Sequence, residues 1–125
     1  VYFLSKEDYA TIFISAAENN NMLGNDACRI KVSYDGMRAS DLYNGGWTNA
    51  NLGVTVKSAY RGSISGNSDK DYGYIVELAI PRSKLKIKSG QLLLNFSITD
   101  KEGGGDAIFD TFSTSTAKWI LVTGL

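Results

Sequence analysis

Residues 27–36 read ACRIKVSYDG, with Cys28, Ile30, Val32 and Tyr34 alternating with Ala27, Arg29, Lys31 and Ser33. Successive side chains of a strand point to opposite faces, so this period of two makes one face apolar and leaves the other wet. A helix would need apolar residues at i, i+3, i+4 and i+7, a spacing the segment lacks. Asp35-Gly36 then supplies a pair that tolerates positive φ, the signal of a type I′ hairpin between Tyr34 and Met37. A strand here turns into a second strand.

The same period recurs outward from this hairpin. Leu52, Val54 and Val56 oppose Thr55 and Lys57; Tyr74, Val76, Leu78 and Ile80 flank Glu77. Leu92, Leu94, Phe96 and Ile98 alternate with Gln91, Asn95 and Ser97. ATIFISAA (10–17) and KWILVT (118–123) are more continuously apolar, as strands covered on both faces are. Polar clusters punctuate the pattern at ENNNMLGND (18–26), GNSDKDYG (66–73) and KEGGGD (101–106). Pro81 closes a strand, and its fixed φ suits one short helical turn over PRSKLKI; Gly90 releases the next strand. The alternating lysines of SKLKIKSG (83–90) read as a guard on an edge strand. Together these features predict a single all-β domain over 1–125: an antiparallel β-sandwich of two sheets, jelly-roll or immunoglobulin-like in architecture.

Composition narrows the chemistry. At 125 residues and 43% hydrophobic content the chain can bury a core without disulfide or metal staples. Thirteen basic and thirteen acidic residues cancel, which argues against a nucleic-acid partner, whose phosphates demand a basic excess. No apolar run reaches the roughly 18–20 residues that span a bilayer as a helix, so no membrane partner is expected. The absence of histidine removes the commonest general base and transition-metal ligand, and Cys28 is the sole thiol. Haem held through histidine is ruled out with it, and the chain is expected not to be an enzyme. The start at Val1, already strand-like, is expected of a processed chain or of a module from a longer protein.

Two loops carry candidate chemistry. DKEGGGDAIFD (100–110) offers Asp100, Glu102 and Asp106 as oxygen ligands beside flexible glycines, the donor type Ca²⁺ takes, although the spacing is not that of an EF-hand. A flexible polar connection is the competing explanation, and Asp69 and Asp71 form a weaker candidate of the same kind. YNGGWTNAN (43–51) sets Trp47 among glycines and asparagines, in what reads as a loop. Its ring either folds back as a lid on the core or stays exposed as a platform for a sugar, whose axial C–H bonds match the negative face of an indole. Tyr43 then forms a second wall, and Asn44, Asn49, Asn51 and Asp41 answer the hydroxyls. Tyr60, Arg61 and Tyr72 are further candidates at strand ends, whereas Trp119 reads as core.

Residues 73–105 (GYIVELAIPRSKLKIKSGQLLLNFSITDKEGGG) resemble family 9 carbohydrate-binding modules and their DOMON-like relatives, at Glu77, Ile80-Pro81, Ser83, Leu85, Gly90, Asn95-Phe96 and Asp100. Upstream, ATIFISAAENN (10–20) and ACRIKVSYDG (27–36) are similar to the family's early strands. The resemblance implies a secreted or cell-surface, non-catalytic β-sandwich that binds polysaccharide. It also implies a monomeric module tied to other domains of a parent protein, often with a structural calcium. Some members grip sugar between two tryptophans; Trp47 stands in a comparable loop, and the second has no clear counterpart here. A structural or protein-interaction module of a larger extracellular protein is the alternative that the same resemblance allows.

Overall fold

The computed structural model describes residues 9–16, 20–33, 35–61, 73–87, 89–99 and 116–125. Eight strands account for most of them: β1 (Tyr9–Ala16), β2 (Cys28–Ser33), β3 (Gly36–Tyr43), β4 (Trp47–Asn49), β5 (Thr55–Arg61), β6 (Gly73–Ala79), β7 (Leu92–Thr99) and β8 (Ile120–Val122). Six form an antiparallel sheet in the order β4-β3-β2-β1-β7-β8, and β5 and β6 pair as a separate ribbon. The all-β expectation is met. Among the described residues the strands outside the large sheet are these two.

β1 lies at the centre because both of its edges find partners. It runs antiparallel to β2 from Ala10↔Val32 to Ile14↔Cys28, and to β7 from Tyr9↔Thr99 to Ala16↔Leu92. Alternation then sorts the side chains. Ile14, Cys28, Ile30, Val32, Leu52 and Leu92 form the buried aliphatic cluster on one face. Val56, Val76 and Leu78 of the ribbon pack against it, while Lys57 and Glu77, cross-strand partners in the ribbon, are exposed. Each fully buried Ile or Val contributes roughly 1.5–3 kcal/mol of transfer free energy. Cys28 belongs to this cluster, and burial, with a smaller push from Asp26, raises its thiol from 9.0 to about 11.

The β2–β3 hairpin forms one residue earlier than the Asp35-Gly36 signal suggests. Ser33 pairs with Gly36, and a bulge between Lys31 and Val32 shifts the register from Lys31↔Ala39 to Val32↔Met37. Pro81 sits just before a 3-10 turn at Arg82–Lys84, where the Lys84 N–H donates to the Pro81 carbonyl at 2.9 Å. The lysine-rich stretch is thus turn rather than edge strand, because Lys86 follows with φ of 49°.

Two strands depart from their pattern. On β7 the apolar Phe96 and Ile98 are 39% and 40% exposed, while Asn95, Ser97 and Thr99 on the other face are buried. β8, expected to be covered on both faces, is an edge strand among the described residues, with Ile120 and Leu121 exposed. Alternation assigns each side chain to a face, but the extent of cover over that face is set by other elements. Phe96 and Ile98 lie outside the aliphatic cluster.

Candidate functional site

The face of the six-stranded sheet opposite the aliphatic cluster carries the positions of β2 and β7 that read as wet, together with polar residues of β1 and β3. Thr11, Ser15, Ser33, Asp41, Asn95, Ser97 and Thr99 are nevertheless buried there. Phe13 shares this face, one cross-strand step from Arg29 on β2 and from Asn95 on β7. Such a surface combines hydrogen-bonding groups with aromatic rings, and rings collect at its β3–β4 end.

A short hairpin places Trp47. Tyr43 pairs with Trp47 across the turn Asn44-Gly45-Gly46, so both side chains leave the sheet on the same face. Gly45 has φ of 67°, a left-handed conformation that only glycine adopts without strain. The Asn44 N–H donates to the Gly46 carbonyl at 2.9 Å within the turn, and the Tyr43 N–H donates to the Ala27 carbonyl at 3.0 Å, fastening β3 to β2. YNGGWTNAN is therefore a hairpin, and Trp47 opens its second strand.

The indole of Trp47 is half-buried and has company on several sides. Tyr43 meets it edge-on with centroids 5.2 Å apart, and Phe13 lies 5.9 Å away at an interplanar angle of 49°. Phe13 in turn touches Trp119 at 6.1 Å. All three separations suit the edge-to-face and tilted geometries that aromatic quadrupoles favour. The Arg29 guanidinium lies over the Trp47 ring, 4.8 Å from its centroid, close enough for a cation–π attraction. Trp47 is thus neither a bare platform nor a lid on the aliphatic core, and Arg29 occupies part of the surface that a stacking ligand would use.

Asp41 holds Arg29 in that position. Arg29 Nε and Nη2 both donate to Asp41 Oδ2, at 3.0 and 2.9 Å. Arg29 and Asp41 are cross-strand partners on β2 and β3, so the sheet register itself brings the charges together. Two residues along β2 on the same face, Lys31 rests its ammonium 5.2 Å from the centre of the Tyr9 ring. An open groove of about 260 Å³ runs between these pairs, walled by Tyr9, Phe13, Arg29, Lys31 and Trp47. Thr11, Ser97 and Thr99 add hydroxyls to its lining. The arrangement offers ring faces, fixed cationic donors and hydroxyls that both donate and accept.

Of the residues expected from sequence, Trp47 lines the groove. Tyr43 and Trp47 come together; Asn44 is exposed in the turn. Asn49 is exposed on β4 and borders a different depression of about 380 Å³ with Ser40, Asn51 and Leu52, whose described lining holds no charged or aromatic side chain. Asp41 Oδ2 is committed to Arg29, and Asn51 Oδ1 accepts the Gly53 N–H at 2.9 Å, which fixes the Asn51 side chain in its own turn. Tyr60 and Arg61 belong by their backbone to β5, in the ribbon that packs on the opposite face of the large sheet, and their side chains lie outside the described residues. Tyr72, Asp69, Asp71 and the calcium candidates Asp100, Glu102 and Asp106 also lie outside the described residues. Among the described residues no three His, Cys, Asp or Glu side chains cluster as metal ligands. Arg29, Lys31, Thr11, Phe13, Tyr9, Ser97 and Thr99 were the residues that sequence reasoning missed. The available signal was the pair of cations two apart on one face of β2, next to the hydroxyl-rich face of β7.

Compared with family models, curated proteins and solved structures, the chain matches none of them.

Proposed function

We propose that this domain is a non-catalytic carbohydrate-binding module, and that the large sheet and the ribbon are the two layers of a β-sandwich like that of the family 9 modules. The observation that carries the reading is the half-buried Trp47, standing at the wall of an open groove whose other residues are aromatic, cationic and hydroxylic. A pyranose ring needs an apolar surface for its C–H face and a rim of donors and acceptors for its hydroxyls. Trp47 and Tyr9 supply the first; Arg29 and Lys31 supply donors for the second, above a floor where Thr11, Ser97 and Thr99 are largely buried. The described lining combines ring faces with donors and acceptors, which supports sugar binding. Recognition across so open a groove desolvates few groups, and affinities of roughly micromolar to millimolar Kd follow.

In this reading the domain is extracellular, monomeric and joined to a larger protein, and the loop with Asp100, Glu102 and Asp106 takes a structural Ca²⁺. A drop in melting temperature on chelation would support the metal, and an unchanged value would remove it. Trp47 is the reporter for the sugar: in a Trp119→Phe background its fluorescence should shift on titration with one of a panel of soluble glucans, xylans, mannans and host glycans. Trp47→Ala should lose that binding. The exposed Phe96, Ile98, Ile120 and Leu121 favour a second reading, a structural or protein-interaction module. Silence across the whole glycan panel would select it.

A further inference from the structure

From the charge pattern of the groove we infer that its ligand is an acidic saccharide, a sugar bearing a carboxylate or sulfate that sits against Lys31. The inference rests on the carbohydrate-binding reading and sharpens it. Two cations line the groove, but they are not equivalent. Arg29 gives two of its donors to Asp41 Oδ2, and this carboxylate offsets its charge. Lys31 has only the Tyr9 ring beneath it among the described partners, at 5.2 Å. A ring quadrupole attracts an ammonium without neutralising it. The described site therefore carries one uncompensated positive charge next to aromatic walls.

A neutral sugar entering the groove would strip water from Lys31 and return only hydroxyl contacts. An anionic substituent returns an ion pair, a hydrogen bond in which acceptor as well as donor is charged. Lys31 and Arg29 lie two residues apart on one face of β2, roughly 6–7 Å along the strand at the usual rise. One sugar can then place its acidic group at Lys31 while its ring reaches the Arg29–Trp47 pair. Thr11 lies directly across from both Lys31 and Ser97, so hydroxyl partners flank the acidic position. The chain's thirteen positive and thirteen negative residues cancel overall. Attraction for the acid is consequently local to the groove rather than a property of a basic protein.

The test compares a uronic-acid oligosaccharide with its carboxyl-reduced counterpart, which keeps the backbone and loses the charge. Calorimetry on the whole chain should show about tenfold tighter binding of the acidic form, fading as salt is raised to about 0.5 M. A sulfated oligosaccharide is the second arm and distinguishes the two anionic groups. Lys31→Gln, with its melting temperature checked against the parent, should bring the acidic ligand down to the affinity of the neutral one. Equal binding of the acidic and reduced forms would overturn the inference and leave sugar binding standing. Polyglutamate binding as tightly as the acidic sugar would overturn it as well, by reducing the site to bare charge. Failure to bind any saccharide, acidic or neutral, would remove the underlying reading and the inference with it.

Discussion

Arg29 and Asp41 sit with side chains 24% and 9% exposed, so their contact at 2.9 Å is largely shielded from water. Removing the acid leaves a guanidinium with no described carboxylate beside it on a mostly covered face. Such losses reach about 3–5 kcal/mol when the pair is fully buried and fall toward zero at the surface. Asp41→Ala should therefore destabilise by roughly 2–3 kcal/mol in urea unfolding; a change under about 0.5 kcal/mol would mean that the pair is only decorative. Cys28 gives a second residue-scale prediction. Its folded pKa, about 11, lies above the ordinary 9.0, so the native state keeps its proton where the unfolded chain has lost it. The stability associated with the neutral thiol is complete below about pH 9 and is lost as pH rises through 11. The share at stake is roughly 2–3 kcal/mol, at about 1.4 kcal/mol per pH unit. Melting temperatures of the parent and of Cys28→Ala should run parallel below pH 9, then converge as the parent falls faster. Neither residue announced its role in sequence. Alternation placed Arg29 and Cys28 on opposite faces correctly, but the partner of a charge is fixed only when strand register is fixed.

Element by element, the strands were largely legible and their surroundings were not. β2, β5, β6 and β7 formed where a period of two had placed them, because local alternation is enough to make a strand worth burying on one side. β4 escaped notice because three residues are too few to display a period, and its glycine-rich approach looked like loop. The groove was missed for a related reason: Ser33 on β2 and Asn95 and Ser97 on β7 stand at positions that read as solvated, yet the sheet buries them. Turns can be tested by substitution. Gly45 and Gly90 both hold positive φ, 67° and 69°, but a Cβ at Gly45 meets nothing within 4 Å, whereas one at Gly90 comes within 3.1 Å of the Leu125 carbonyl oxygen. The Leu125 N–H also donates to the Gly90 carbonyl at 3.0 Å, so the backbone there cannot swing aside without losing a bond. Gly45→Ala should cost about 1 kcal/mol from conformation alone. Gly90→Ala should cost at least about 1 kcal/mol more, from the added contact and the strained hydrogen bond. Equal losses in thermal or urea unfolding would show that the close approach is without consequence.

For the whole molecule, the order of strands implies an order of local stabilities. β1 and β2 each have a hydrogen-bonded neighbour on both sides, and β7 is joined to β1 along its full length, across some eighty residues of sequence. Opening any of these breaks the aliphatic cluster, so their amides should exchange only through global unfolding. Among the described residues β5 and β6 pair over seven residues with no third strand, and a two-stranded ribbon is marginal without the face it packs on. Its amides should therefore exchange through a partial opening of lower free energy. β4 and β8 pair over three residues each, at the two edges, and should be the least protected strands. Trp47 belongs to one of these weak edges, yet its ring is braced by Phe13 on the central strand and by Arg29 on β2. A ligand held in the groove bears on Trp47 and on β1 and β2 together, and would tie the labile edge to the stable centre. Hydrogen exchange should accordingly give β1, β2 and β7 the slowest amides, the ribbon intermediate ones and β4 and β8 the fastest. Saturation with a sugar should then slow β4 and leave β8, which does not line the groove, unchanged. Equal protection across all eight strands would contradict the ordering, and slowing at β8 in place of β4 would move the binding site to the other edge of the sheet.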